Sequence, residues 1–209
     1  LAYTKGNKNY YSLECLSSFA GATISWLKNN LKLIKNPDES ELLSNQVVGS
    51  EGVYLIPAFT GLGPPYWIAN ARASFLGINA STNKSHLVRA GLESVAFQMI
   101  VYLEFLQKSN HINLQKISIH GGMVKNNLFL QMIADLLQIE VKVPLMEEMS
   151  SYGSLLFGIQ YIQGIDNLDY LDQFKVDNTS YYPNENKNIQ ISFEKWKDLI
   201  DKHFKKNQV

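Results

Sequence analysis

The chain has 209 residues, enough to bury a substantial core, and its length suits one generous domain or two small ones; one is the working expectation. Nineteen basic and nineteen acidic residues cancel, so overall charge recruits neither nucleic acid nor an anionic membrane, leaving small molecules and proteins as partners. A single cysteine, Cys15, excludes an internal disulfide framework and a thiolate metal cluster and fits a reducing cytoplasm, and neither a signal peptide nor an apolar run of about twenty residues supports secretion or membrane spanning.

Residues 1–15, LAYTKGNKNYYSLEC, read as two short strands around the polar turn Lys5-Gly6-Asn7-Lys8. From 18 to 34 the spacing becomes helical, with Phe19, Ile24, Trp26, Leu27, Leu31 and Leu33 as an apolar stripe. NPDESE breaks that helix and starts another short one. Residues 52–59, GVYLIPAF, form a compact apolar strand, followed by TGLGPPYW, whose prolines and glycines fix an irregular loop. After a short segment at 71–78, residues 81–109 carry the longest helical pattern, capped by Ser or Asn, with Leu87, Leu92, Val95, Met99 and Leu103 toward the core.

The second half alternates: strand 115–120, helix 126–138, strand 139–144, and a helix over about 150–163. Residues 166–188 read as a polar loop, and ISFEKWKDLIDKHFKK as an amphipathic helix with Phe193, Trp196, Ile200 and Phe204 on one side. Between the strand at 115–120 and its helix lies IHGGMVKNN. Its adjacent glycines let a ligand approach the backbone, and asparagines at the next helix start leave free N–H groups pointing outward, an arrangement that suits anions but also describes an ordinary strand-to-helix turn.

YLIPAFTGLGPPYW, LGINASTNKSHLVRAGLESVAFQM, ISIHGGMVKNNLFLQMIADLLQ and EVKVP, in this order, resemble the C-terminal half of the FGGY carbohydrate kinases, most of all the branch that phosphorylates glycerol. The resemblance runs from about 10 to 165 and implies an α/β domain of ribonuclease H-like, or actin-like ATPase, fold, the C-terminal half of a two-domain kinase that holds ATP in the cleft between its domains. It implies a nucleotide-binding domain over 1–165 that lacks its first strand, with 166–209 adding a polar loop and a helix packed on the same domain. The missing strand would expose an unpaired sheet edge.

The resemblance assigns Gly121, Gly122 and Asn126 to the adenosine part of ATP or ADP. In FAGATISWL it assigns Gly21 and Ser25 to the nucleotide as well. The family commonly has Gln at the second of these positions, so Ser25 reaches less far and a bridging water would complete its contact. Without the resemblance, Gly21 would be a helix-start or close-packing glycine, and Tyr66 and Trp67 would be aromatics covering a core. The chain also departs from the family pattern at His120, where Asp is usual, at Ile68 after the Trp, and at Ala73 after Arg72. Arg72 and Glu93 match family positions and read as charges that organise the scaffold.

The family takes its polyol mainly from an N-terminal domain that also carries the Asp accepting the hydroxyl proton and a Gly-Thr-Gly phosphate loop, and none of these lies in the matched region. The expectation is the nucleotide-binding half of a kinase that uses ATP with magnesium and takes glycerol or a related polyol through that absent domain; a homo-oligomer is also open. No catalytic residue and no metal ligand is assigned to these residues, and the chain by itself is expected to be inactive. A degenerate, non-catalytic remnant is the alternative, favoured by Cys15, Ser25 and His120, and a kinase for another polyol or sugar is a third reading.

Overall fold

A computed structural model describes residues 3–5, 8–12, 19–165 and 168–205. The chain divides into two compact units, 1–113 with 188–209, and 114–187.

The first unit opens with the expected hairpin, β1 (Tyr3–Lys5) antiparallel to β2 (Lys8–Tyr10). Gly6 and Asn7 of its turn, Cys15, and Ser18 at the expected helix start lie outside the described residues. Helix α1 (Ala20–Asn29) is shorter than its apolar pattern, because Lys32 takes a left-handed φ of 57° and turns the chain away. Leu31 is therefore exposed, whereas Ile24 and Leu27 are buried. The short helix α2 (Glu39–Ser44) follows NP as the sequence indicates.

Helix α3 (Lys84–Asn110) is the spine of this unit. Asn83 caps it by accepting from the N–H groups of Ser85 and His86, while His86 Nδ1 accepts from the N–H of Asn83. From Val88 to Phe97 every residue is buried, so the helix is enclosed along this stretch instead of showing a single apolar stripe. Gly91 explains the close approach of α1: a Cβ there would lie 2.6 Å from Leu27 Cδ1. Strand β3 (Tyr54–Ile56) pairs antiparallel with β4 (Ser74–Leu76). The terminal helix, called α6 by its place in the chain (Lys187–Ile200), buries Phe193, Trp196 and Ile200 as its spacing requires and starts four residues before the expected pattern. Trp196 Nε1 donates to the Leu55 carbonyl at 2.8 Å, and the Trp196 and Phe193 rings pack on Phe97.

In the second unit, β5 (Lys116–Ser118) runs parallel to β6 (Glu140–Pro144), with helix α4 (Asn127–Leu137) as the crossover that parallel strands require. Phe129, Leu130, Met132 and Ile133 of α4 and Val141 and Val143 of β6 are buried. The expected loop at 166–188 instead holds a 3₁₀ helix (Leu168–Phe174) and β7 (Asn178–Tyr181), which pairs antiparallel with β6. NTSY carries little apolar signal, and the neighbouring strand supplies the ladder that makes it β. The segment after β7 is fixed by the buried carboxylate of Asp135, which accepts from Gln131 Nε2, Asn184 N and Asn186 Nδ2 at 2.7, 2.9 and 3.0 Å. Helix α5 (Met149–Ile162) appears where expected, but Leu155, Phe157, Tyr161 and Ile162 on it are exposed.

Candidate functional site

The glycine turn is built outward from β5. Its chain continues through Ile119, whose N–H donates to the Lys142 carbonyl at 2.9 Å, to an exposed His120. Gly121 then takes a φ of +98°, a conformation that nearly requires glycine. Residues Gly122–Lys125 form one turn of 3₁₀ helix, with Val124 N bonded to Gly121 O at 3.1 Å and Asn126 N to Met123 O at 3.2 Å.

Asn126 is buried, and its Oδ1 accepts from Phe129 N at 2.8 Å. This is an N-cap, so one of the N–H groups that the sequence left pointing outward is already satisfied by the side chain assigned to the ligand. Asn127 Oδ1 accepts from the Tyr181 hydroxyl at 2.7 Å, which ties the start of α4 to β7. Lys125 Nζ lies 3.0 Å from Glu147 Oε1, linking the turn to the loop before α5. The sequence offered no signal for this last pair, since its partners are far apart in the chain.

A Cβ added at Gly121 or Gly122 would meet nothing within 4 Å, and both residues are exposed. The turn therefore leaves open space above its backbone. Gly21 and Ser25 lie in the first unit, one turn apart on α1, and both are exposed. A Cβ at Gly21 would also meet nothing within 4 Å, so Gly21 is not a close-packing glycine.

The other singled-out residues divide differently. Trp67 does not cover a core: it is 71% exposed and sits at a φ of 52°. Tyr66 is half-buried, and burial pushes its hydroxyl pKa upward, reinforced by the negative charges of Asp201 and Glu104. Arg72 donates to its neighbours' carbonyls, Ala69 O at 3.3 Å and Ala71 O at 2.8 Å. Glu93 is a scaffold charge as expected, and its partner is Arg89, with Nε 2.7 Å from Oε1 and both side chains buried. The i, i+4 spacing of Arg and Glu on a helix was the available signal for that pair. Among the described residues, no three His, Cys, Asp or Glu side chains converge as a metal site, and no helix is long and apolar enough to cross a membrane.

The model of the C-terminal domain of the FGGY family of carbohydrate kinases matches residues 2–160. The chain belongs to this family. It has the ribonuclease H-like, actin-like ATPase fold of the FGGY C-terminal domain. A glycerol kinase from Alkaliphilus metalliredigens is 34% identical over 206 residues, which are 98% of this chain and 41% of that protein. A glycerol kinase from Oceanobacillus iheyensis is 41% identical over 154 residues, covering 74% of this chain and 31% of that protein. Among solved structures, the Plasmodium falciparum glycerol kinase with ADP superposes with a TM-score of 0.77 at 31% identity, over 88% of this chain and 37% of that one. The ligand-bound xylulose kinase from Lactobacillus acidophilus, at 22% identity and a TM-score of 0.75 over 89% of this chain and 39% of that one, supports the fold alone. The FGGY chain described here thus spans about two fifths of the length of the relatives it matches.

Proposed function

We propose that these residues are the nucleotide-binding part of a glycerol kinase-like enzyme, which transfers the γ-phosphoryl group of ATP to glycerol and gives ADP and sn-glycerol 3-phosphate. The observation that carries the reading is the likeness to the Plasmodium falciparum glycerol kinase with ADP, at 31% identity and a TM-score of 0.77. The alternative of a non-catalytic remnant draws on His120 and Ser25, the two departures nearest the proposed contacts.

On this reading the exposed backbone at Gly121 and Gly122 takes the adenosine and Asn126 holds the shape of the turn by capping α4; the assignment of Gly21 and Ser25, in the first unit, rests on the family resemblance alone. Magnesium, which in a complete enzyme neutralises the charge of the transferred group, is placed on this reading at the half of the cleft outside these residues, and no step is assigned to it on this chain. The proton of the attacking hydroxyl and the charge on the transferred phosphoryl group are handled by groups outside the FGGY C-terminal domain. These 209 residues alone therefore turn over no glycerol, and a coupled ADP-release assay should stay at its blank.

The test of the contact assignment is Gly122→Val. Gly122 needs no left-handed φ and its added carbons meet open space, so the variant keeps its fold while filling the room for adenosine. An ADP titration should saturate with the parent chain and show no binding with the variant. Equal curves for the two folded proteins would make the turn a mere strand-to-helix connection, and absence of binding in both would favour the remnant.

A further inference from the structure

Within the first unit, the 48–52 turn and the first half of α6 border an open pocket of about 240 Å³ that shares no residue with the proposed nucleotide contacts. Its lining combines groups that are rarely left together without a ligand. Lys195 brings an ammonium group that no carboxylate pairs among the described residues. Ser50, only 1% exposed, has a buried hydroxyl with no hydrogen-bond partner. Such an orphaned group is destabilising in a folded chain and marks a place where a partner is wanted. The Tyr54 and Ser192 side chains lie close together, and Asn188 adds an amide to the lining.

Apolar groups lie among these polar ones, Ile191 beside Ser192 and Lys195 on the same face of α6 and Val48 on the turn. Val48 and Ile191 are 83% and 53% exposed, and Gly49 and Gly52 leave backbone open beside them. Glu51, the carboxylate in the lining, faces His86 Nε2 at 3.3 Å. Small pockets of this kind, with a few convergent polar groups among apolar ones, bind ligands whose charge and hydroxyl pattern match.

We propose that this pocket is a binding site for a small hydroxylated anion, a three- or four-carbon hydroxy acid or polyol phosphate. Lys195 takes the anionic head. Asn188, Ser192 and Tyr54 receive the hydroxyl groups, and the short carbon chain lies on Val48 and Ile191. The Ser50 hydroxyl turns between staggered rotamers to supply one more bond. The site shares no residue with the adenosine contacts.

The experiment is an amide-resonance titration of the whole chain with sn-glycerol 3-phosphate in one arm, D-glycerate in a second and uncharged glycerol in a third. Both anions should shift the Gly49, Ser50, Gly52, Asn188 and Ser192 amides and saturate with a Kd of about 1 mM, while glycerol at equal concentration should not. The tighter of the two anions identifies the head group as phosphate or carboxylate. Lys195→Gln should raise the Kd at least tenfold, the loss expected for a charge-assisted hydrogen bond. Ser50→Ala should raise it several-fold yet leave thermal stability unchanged or higher, because the hydroxyl it removes has no partner in the fold. Gly122→Val should leave this titration unchanged, which separates its failure from that of the nucleotide reading. Absence of saturable shifts, equal response to glycerol, or an unaltered Kd in Lys195→Gln would overturn the proposal.

Discussion

Replacing Arg89 with Met should be among the most damaging single changes in the first unit. Arg89 Nε lies 2.7 Å from Glu93 Oε1, the two side chains are 8% and 2% exposed, and the second carboxylate oxygen has no partner. Arg89 Nη1 also donates to the Ser44 carbonyl at 3.3 Å, joining α2 to α3. The methionine would leave Glu93 as a buried charge with neither oxygen paired, which costs about 3–5 kcal/mol. Loss of the bond to Ser44 adds about 1 kcal/mol. With a urea slope of about 2–3 kcal/mol per molar, the unfolding midpoint should fall by about 1.3–3 M. The assay isolates the relevant unit, because Trp26, Trp67 and Trp196 are the only tryptophans and all lie in the first unit. Urea unfolding followed by tryptophan fluorescence therefore reports on it alone. Arg89→Met combined with Glu93→Leu removes both charges and should return most of the loss, since well-packed apolar groups commonly replace a buried pair without penalty. A single variant that shifts the midpoint by less than about 0.5 M, or a double variant no more stable than the single, would refute the view that an unpaired buried carboxylate sets the effect.

Asn126→Ala should destabilise α4 by about 1 kcal/mol through loss of its cap, whereas Asn126→Asp should retain the cap; amide exchange rates along 127–137 provide the measurement. Alkaline titration followed by phenolate absorbance should show Tyr54 and Tyr66 ionising later than the exposed tyrosines, because burial, the largest cause at both, raises their pKa above the ordinary 10.0. Their folded values lie above the unfolded one, so the stability they contribute is fully present below about pH 10 and declines as pH rises beyond it; urea midpoints of the first unit should fall in that range, and Tyr66→Phe should lessen the fall.

The sequence by itself determined the order of elements and the family. Apolar spacing located α3, α4, α5 and the buried face of α6, and the sequence offered Ser or Asn as the cap of α3, of which the structure uses Asn83, because these features depend on neighbours a few residues away. The glycine at 121 was legible for the same reason, since a positive φ is a local demand. Tertiary structure alone decided what depends on distant partners. NTSY became β7 only because β6 offered it an edge, and α1 stopped at Asn29 although its apolar pattern ran on. Glu93 was readable as a scaffold charge and its i, i+4 spacing to Arg89 pointed to the pair, but the burial of both and the orphaned second oxygen depend on packing that no periodicity reports. At the candidate site, the family resemblance named Gly121, Gly122 and Asn126, while the fold showed that the side-chain oxygen of Asn126, Oδ1, already accepts from Phe129 N. The pocket beside Lys195 was invisible beforehand, since residues 48–54 and 188–195 meet only when the chain closes the first unit around α3 and brings its two ends together.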